Sequence, residues 1–332
     1  MNIILKYKRT LLILSVALVV VLLPLDLMSF GFFAHRKINR MAVFTLPPEM
    51  LPFYRKHIEY LTERSIDPDR RAHAVPGEAQ RHYIDIDHFG EEPFEIMPRE
   101  WDEAVDKFSD DTLQEYGVLP WHIEVMMRRL TYAFRDKDVD RILYNSAHIG
   151  HYIADACTPL HTTVYYNGRT PEQRGIHALW ESRIPELFAD DYNYFVGRAE
   201  YIESPRERIW EIVKVSHNKV ETIYEIYDHL YETMPSDMIY SHEMRGQSFV
   251  RPYSRSFSKA FHDEMNGMVE QQMQLAVKSI GDFWYTAWVN AGQPDLIDML
   301  DESISDAHKE QLEEQLKEWE STDESLDREY VE

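Results

Sequence analysis

The chain has 332 residues, of which 44% are hydrophobic and 13% aromatic, and it carries a net charge of −23. A length and an apolar fraction of this order are sufficient for one large hydrophobic core. The strong negative charge argues against a protein that forms a stable complex with nucleic acid by neutralising phosphates. It does not exclude an enzyme that acts on phosphates with bound cations, because the cations reverse the local field.

Residues 1–29 have the pattern of an export signal, in which a basic start precedes an apolar run over residues 11–23. The run is too short for a comfortable transmembrane helix, and Ser29 is small enough to precede a cleavage point. We therefore predict a signal peptide over 1–29, a mature chain that begins at Phe30, and a periplasmic or extracellular location. An uncleaved signal that anchors the protein in the membrane is the alternative.

Helical patterns dominate the rest of the chain. Only 12 Gly are present, and no long stretch alternates apolar and polar residues, so an all-α fold is predicted. The predicted helical stretches are 35–64 with a break at Pro47 and Pro48, 99–116, 120–135, 140–157, 177–188, 206–231 and 256–291. Residues 65–90, which are rich in Asp, Pro, Arg and His, are predicted to form a long functional loop, and residues 235–252 an irregular segment.

The C-terminal end is strongly acidic. We predict a single multi-helix domain over 30–298 and an acidic helical tail over 299–332. The simplest interpretation of the tail is a solvated helix and not a partner site, and no obligate protein partner is indicated.

The chemistry-bearing residues begin with a helix and the turn beyond it. His151 and Asp155 stand four residues apart, so both project from one face of the helix, and His161 follows Pro159 in the turn. His177 and Glu181 repeat the four-residue spacing. Imidazoles and carboxylates in close, fixed geometry are what a zinc site requires.

With the residues before them, these side chains form an ordered set that resembles one superfamily. It is the trinuclear zinc superfamily that joins bacterial zinc-dependent phospholipases C and fungal single-strand-specific nucleases. The residues that carry the resemblance are the N-terminal aromatic Phe30, His35, Asp67, His82, His151, Asp155, His161, His177 and Glu181. The match covers about residues 30–181, and beyond it only the helical character agrees.

The resemblance implies three zinc ions. The implied ligands are Asp67, His82 and His151 with a shared Asp155 for the first ion; His161, His177 and Glu181 for the second; and His35, Asp155 and the amine and carbonyl of Phe30 for the third. The family usually has Trp where this sequence has Phe30. A hydroxide that bridges two zinc ions is the expected nucleophile, with Asp67 as a catalytic residue that orients or deprotonates the attacking water.

Three further residues are candidates for contact with the substrate. Arg183 is predicted to grip a phosphate, with a helix-surface ion pair to Glu186 as the alternative. Tyr166 and Asn167 lie between His161 and His177, and either line a substrate cleft or form a simple turn.

The function predicted from these residues is that of an exported zinc-dependent phosphodiesterase similar to phospholipase C. Glu181 supports that branch, because the nuclease branch typically has Asp there, and so does the short step from His161 to His177. The alternative is a nuclease or 3′-nucleotidase on the same metals, so the substrate is either a phospholipid or a single-stranded nucleic acid or nucleotide. A further alternative is a metal-binding envelope protein without catalytic activity.

Overall fold

The structure is a computed structural model in which residues 31–245 and 248–321 are described. The predicted signal peptide and Phe30 lie outside the described residues, as does the end of the acidic tail. Across the described ranges, the strands β1 (Glu243–Arg245) and β2 (Ser248–Val250) form one short antiparallel hairpin, and all other regular elements are helical. The prediction of an all-α fold is confirmed.

The helices alternate with short 3-10 turns. In the first half they are α1 (Phe32–Ala42), α2 (Leu51–Lys56), α3 (Ile58–Arg64), α4 (Asp67–Ala72), α5 (Pro93–Ile96), α6 (Trp101–Phe108), α7 (Asp110–Tyr116), α8 (Leu119–Asp136) and α9 (Val139–Ala156). In the second half they are α10 (Ile176–Ala178), α11 (Ile184–Phe188), α12 (Pro205–His217), α13 (Val220–Thr233), α14 (Arg255–Glu264), α15 (Met268–Asn290) and α16 (Asp306–Ser321).

The core is built around α9, which is buried along almost its whole length. A tight turn at Lys137, whose φ is 54°, joins it to α8, and the side chain of Asp138 caps its first turn by accepting a hydrogen bond from the Arg141 amide at 3.0 Å. Helix α15 runs antiparallel to α9: Gln272 donates to the Cys157 carbonyl at one end, and Trp284 donates to the Ser146 carbonyl further along. Helix α9 is apolar on most sides, and a helix of this kind must lie inside the protein.

Two glycines let other elements approach these central helices closely. A Cβ at Gly150 on α9 would lie 2.0 Å from Asn39 Oδ1 on α1, and a Cβ at Gly281 on α15 would lie 1.9 Å from Thr45 Oγ1. Neither separation is possible for a real side chain, so a larger residue at either position would force the buried Asn39 or Thr45 side chain to move. The close contact at Gly150 brings α1, with His35, against the part of α9 that carries His151.

Several predicted elements differ from the structure because backbone turns interrupt a continuous apolar pattern. Ser109, with φ at 71°, divides the predicted helix 99–116, and Asn266 and Gly267, with φ at 46° and 80°, divide the predicted helix 256–291. The predicted helix 206–231 is likewise two helices, α12 and α13, and the predicted loop 65–90 contains the helix α4. The predicted irregular segment 235–252 contains the hairpin of β1 and β2.

The acidic tail is helical where it is described, over α16, but it is not simply solvated. Leu312 is buried, and His308 Nε2 lies 2.9 Å from the Tyr60 hydroxyl of α3. Ser305 is held by Asp140 at the start of α9. The boundary between domain and tail at residue 299 stays a prediction. Within the described ranges no helix combines the length and the apolarity that crossing a bilayer would need.

Two histidines away from the metal centre, the buried His57 and the half-buried His122, predict how stability depends on pH. Burial and the neighbouring Lys56 lower the pKa of His57 to about 4, and burial and the neighbouring Arg81 lower the pKa of His122 to about 3. Both are about 6.5 in an unfolded chain. The unfolded chain therefore binds more protons below pH 6.5, so stability is full above pH 6.5 and falls as the pH falls towards these folded values.

We expect each imidazole to remove at most about 1.4 kcal/mol of stability per pH unit in this window. Thermal unfolding of chelator-treated protein between pH 6.5 and 4.5 measures the slope. A His57→Gln/His122→Gln variant should show a clearly shallower slope than the parent. Identical slopes would contradict the assignment of neutral imidazoles.

Candidate metal centre

The centre is assembled at the C-terminal end of α9, where His151 and Asp155 project one helical turn apart. His151 is fully buried, and Asp155 is 1% exposed. The turn after α9 carries His161, and the segment after α4 brings His82 to the same place through a backbone hydrogen bond from the Ile84 amide to the His161 carbonyl, at 2.9 Å. The four-residue spacing therefore places His151 and Asp155 together, and the turn and this backbone hydrogen bond bring His161 and His82 to them.

Four ligand-type atoms converge in the first group. His82 Nδ1 lies 3.0 Å from His151 Nε2, 3.0 Å from Asp155 Oδ2 and 3.6 Å from Asp69 Oδ1. His151 Nε2 lies 3.2 Å from Asp155 Oδ2 and 3.4 Å from Asp69 Oδ1. Tetrahedral zinc with bonds of about 2.0–2.1 Å holds its ligand atoms about 3.3 Å apart. The observed separations scatter around that value.

The outer hydrogen bonds fix which nitrogen of each imidazole faces the centre. His151 Nδ1 donates to the Ser65 carbonyl at 2.8 Å, so in the neutral ring Nε2 carries a lone pair. His82 Nε2 faces Glu78 Oε1 at 3.7 Å and makes no hydrogen bond, while Nδ1 points inward. Two nitrogen lone pairs and two carboxylate oxygens would repel one another unless a cation lies between them. This donor set fits zinc.

The second group contains His161, His177 and Glu181. Glu181 Oε2 lies 3.0 Å from His161 Nε2 and 2.9 Å from His177 Nε2. His161 Nδ1 donates to the His82 carbonyl at 2.6 Å, which directs its Nε2 to the group. Asp155 lies between the two groups: its Oδ2 faces the first group, and its Oδ1 lies 3.8 Å from His161 Nδ1, the outer nitrogen of that ring. The resemblance implies that Asp155 is shared with His35, and Asp155 Oδ1 lies 3.4 Å from His35 Nε2.

A π-helical turn over Leu179–Arg183 presents Glu181. Pro185 has no amide hydrogen, and its ring clashes with the carbonyl four residues earlier, which is that of Glu181. The wider turn removes that clash and changes the direction of the Glu181 side chain. The proline explains why the helix predicted over 177–188 is not regular.

His35 lies on the other side of the first group. Its ring stacks on that of His151 with centroids 4.0 Å apart, its Nε2 lies 3.4 Å from Asp155 Oδ1, and its Nδ1 is buried without a hydrogen-bond partner. A ligand atom of His35 also falls within reach of Asp69 and His151. Gly31, at the start of the described residues, is close by: a Cβ there would lie 2.8 Å from Glu181 Oε1.

The electrostatics of the centre favour positive charge. Burial opposes charge on His151, but Asp155 and Asp69 outweigh burial and raise the pKa of His151 to about 10. Burial likewise opposes charge on His161, but Asp155 and Glu181 raise its pKa to about 9. Burial favours neutral Asp155, yet His151 and His161 hold the pKa of that carboxyl well below its usual range. Divalent cations satisfy such a set of carboxylates without protons on the imidazoles.

The structure does not bring Asp67 to the other predicted ligands, and Asp69 lies beside them instead. The carboxylate of Asp67 lies 3.5 Å from Arg64 Nη1 and 3.3 Å from Arg70 Nη1, and it belongs to none of the ligand groups among the described residues. Residues two apart on α4 point to different sides of the helix. Because Asp69 faces His82 and His151, Asp67 faces away from them.

The three predicted substrate residues have different outcomes. Tyr166 lies at the edge of the second group, edge-to-face with His177 at 5.6 Å. Asn167 Oδ1 accepts a hydrogen bond from the Gly175 amide at 2.8 Å, so it closes a loop, as in the alternative interpretation. Arg183 forms a bidentate ion pair with Glu243, at 3.2 and 2.5 Å, which occupies the guanidinium predicted to grip a phosphate. The partner is Glu243 and not Glu186.

Glu78 is a buried carboxylate behind His82 that was not predicted. Arg81 donates to Glu78 at 2.5 Å, Arg71 lies 2.9 Å from it, and the Tyr152 hydroxyl donates to it. Burial favours its neutral form, but His82 and Arg71 hold the pKa of Glu78 well below its usual range. An ionised carboxylate beside the outer nitrogen of a ligand imidazole orients the ring and raises its basicity. The four-residue step from Glu78 to His82 was the available signal.

We expect Glu78→Gln to weaken zinc binding by about tenfold or more, because the amide does not attract the His82 Nε2 hydrogen as a carboxylate does. Competition with a chromogenic chelator measures the affinity. Glu63→Gln, which breaks the exposed pair with Arg36, is the control and should leave it unchanged. A Glu78→Gln protein that folds and binds zinc as tightly as the parent would show that Glu78 is only a structural residue.

Comparisons with known proteins leave the family open. No protein-family model matches the chain, and no curated protein does. Among solved structures, the alpha toxin from Clostridium absonum is similar in 79% of this chain, with 15% sequence identity and a TM-score of 0.47. The match spans 65% of that chain. A likeness of this size decides neither fold nor function.

Proposed function

We propose that the chain is an exported zinc-dependent hydrolase of phosphodiester bonds, similar in its site to the phospholipases C. The observation that carries the proposal is the convergence of His82 Nδ1, His151 Nε2 and Asp155 Oδ2 at 3.0–3.2 Å from one another, with Asp69 Oδ1 3.4–3.6 Å from the two imidazole nitrogens. The group of His161, His177 and Glu181 lies beside them. Two adjacent groups that can hold metal ions are suited to phosphoryl chemistry, in which the attacking and the leaving oxygen both require stabilisation.

The residues of the chain have distinct parts in this proposal. Bound zinc ions lower the pKa of water to about 7 and neutralise negative charge on a phosphoryl group. Asp69 takes the part expected of Asp67: it is 16% exposed at its side chain, so it can hold a water molecule at the edge of the first group. Tyr166 packs beside His177, where it would contact a substrate.

A third zinc ion belongs to the same proposal. His35 and Asp155 would bind it, together with the amine and carbonyl of Phe30 after export and cleavage. Gly31 supports this assignment, because a Cβ there would lie 2.8 Å from Glu181 Oε1 and 3.5 Å from the His35 ring. N-terminal sequencing of exported protein tests it. A mature chain that starts elsewhere than Phe30 would remove the proposed amine ligand.

The substrate is tested with purified protein that is dialysed against chelator and reloaded with zinc. Hydrolysis of phosphatidylcholine without hydrolysis of single-stranded DNA supports the phospholipase C-like function. The reverse result selects the nuclease or 3′-nucleotidase, which the net charge of −23 disfavours for long polyanions. Failure to cleave either substrate, or a generic bis-aryl phosphate, would overturn the proposal in favour of a metal-binding envelope protein.

A further inference from the structure

The hairpin of β1 and β2 is tied at its base to two helices. Tyr240 and Tyr253 pair across its base, and their rings stack with centroids 5.0 Å apart. The hydroxyl of Tyr253 lies 3.0 Å from that of Tyr227 on α13, and its ring stacks on Phe257 of α14 at 5.3 Å. Two helices therefore fix the orientation of the hairpin relative to the core.

The hairpin is also tied directly to the metal centre. Glu243 at the start of β1 accepts two hydrogen bonds from Arg183, which is two residues beyond the ligand-type Glu181. The same π-helical turn thus presents one side chain to the second metal group and another to the hairpin. A surface that binds the hairpin is therefore held close to the metal centre.

An exposed apolar pair lies on this hairpin. Met244 and Phe249 are directly opposite each other in the register, so their side chains share one face, and they are 64% and 69% exposed. The side chain of His242 stacks on Phe249 with centroids 5.2 Å apart. Single exposed apolar residues are ordinary, but two that share one face of a hairpin are typical of an interaction surface.

The charge around this pair is opposite to that of the protein as a whole. Between residues 238 and 258 the sequence has three arginines, Arg245, Arg251 and Arg255, and one acid, Glu243, which pairs with Arg183. The whole chain has a net charge of −23. A basic segment around exposed apolar side chains complements an anionic lipid surface, which attracts the basic residues and accepts the apolar ones.

We propose that the hairpin is a membrane-docking element that inserts Met244 and Phe249 into the headgroup region of an anionic bilayer. This proposal rests on the proposed function and deepens it, because docking here holds the metal centre close to phosphodiester headgroups. The partner is a lipid surface, and a second copy of the chain is the competing occupant of the same apolar pair.

The test uses zinc-loaded mature protein and sedimentation with two kinds of vesicle, one of phosphatidylcholine alone and one of phosphatidylcholine and phosphatidylglycerol in equal amounts. The parent should bind the anionic vesicles more tightly, and added salt should weaken that binding. Met244→Ser/Phe249→Ser should reduce binding by about tenfold or more, because two apolar side chains no longer enter the lipid. Its hydrolysis of a soluble bis-aryl phosphate should be unchanged.

Ile297→Ser is the matched control, because Ile297 is 59% exposed and follows the far end of α15. It should bind vesicles as the parent does. Equal vesicle binding by the hairpin variant and the parent would overturn the proposal, and so would a dimer in solution that the hairpin substitutions dissociate. If hairpin-dependent binding occurs but no phosphodiester is hydrolysed, the docking surface stands and the proposed function fails.

Discussion

Replacement of His151 by alanine is expected to remove bound zinc and phosphodiesterase activity together. His151 Nε2 contacts three other ligand-type atoms of the first group, and its ring also stacks on His35. Loss of a residue that only supports a metal ligand typically costs 10–100-fold in metal affinity, so loss of this ligand should cost at least about 100-fold. Zinc content by mass spectrometry and hydrolysis of a bis-aryl phosphate measure the two effects.

The variant needs a control that removes a buried imidazole elsewhere. His57→Ala serves, because His57 is buried against Phe53 and belongs to none of the ligand groups among the described residues. It should lose stability but keep zinc and activity. Full zinc content and full activity in a folded His151→Ala protein would refute the whole site.

The second prediction with a large effect compares Asp67 and Asp69, which lie two residues apart. Asp69→Asn should lower zinc affinity and activity by at least about tenfold, since a charged oxygen in contact with His82 and His151 becomes a neutral one. Asp67→Asn should leave both unchanged. Burial raises the pKa of Asp67 in spite of Arg64 and Arg70, so the fold disfavours its ionised form, and a neutral amide should change stability by no more than about 1 kcal/mol.

Both variants are compared by chelator competition, by activity and by thermal unfolding. The opposite pattern, with zinc lost in Asp67→Asn and kept in Asp69→Asn, would restore the prediction made from the sequence. The pair is well matched, because the two carboxylates lie on the same short helix and receive the same change.

The parts of the site that helix geometry governs were predictable from the sequence. The spacing of His151 and Asp155 places both on one face of α9 whatever the tertiary structure is, and the same holds for the approximate position of Glu181 relative to His177. The choice between Asp67 and Asp69 depends on the rotational phase of α4 against the core. The rotation of α4 about its axis is set by its packing and by the two arginines around Asp67, and no local sequence pattern indicates it.

Contacts between segments that are far apart in the chain could not be predicted from the sequence. Arg183 and Glu243 are sixty residues apart, and nothing near either residue indicates the other. The hairpin itself is built from two three-residue strands, which are too short to show a clear alternation. Glu78 was missed for a related reason: its spacing from His82 matched the other pairs, but the intervening residues form a turn whose geometry a helical pattern does not describe.

The most direct test of the central claim is a crystal structure of the zinc-loaded protein with anomalous diffraction recorded on both sides of the zinc absorption edge. The structure described above predicts one anomalous peak bounded by His82 Nδ1, His151 Nε2, Asp155 Oδ2 and Asp69 Oδ1, and a second beside His161, His177 and Glu181. Zinc bound at Asp67, or no zinc between these atoms in a protein that retains phosphodiesterase activity, would contradict it.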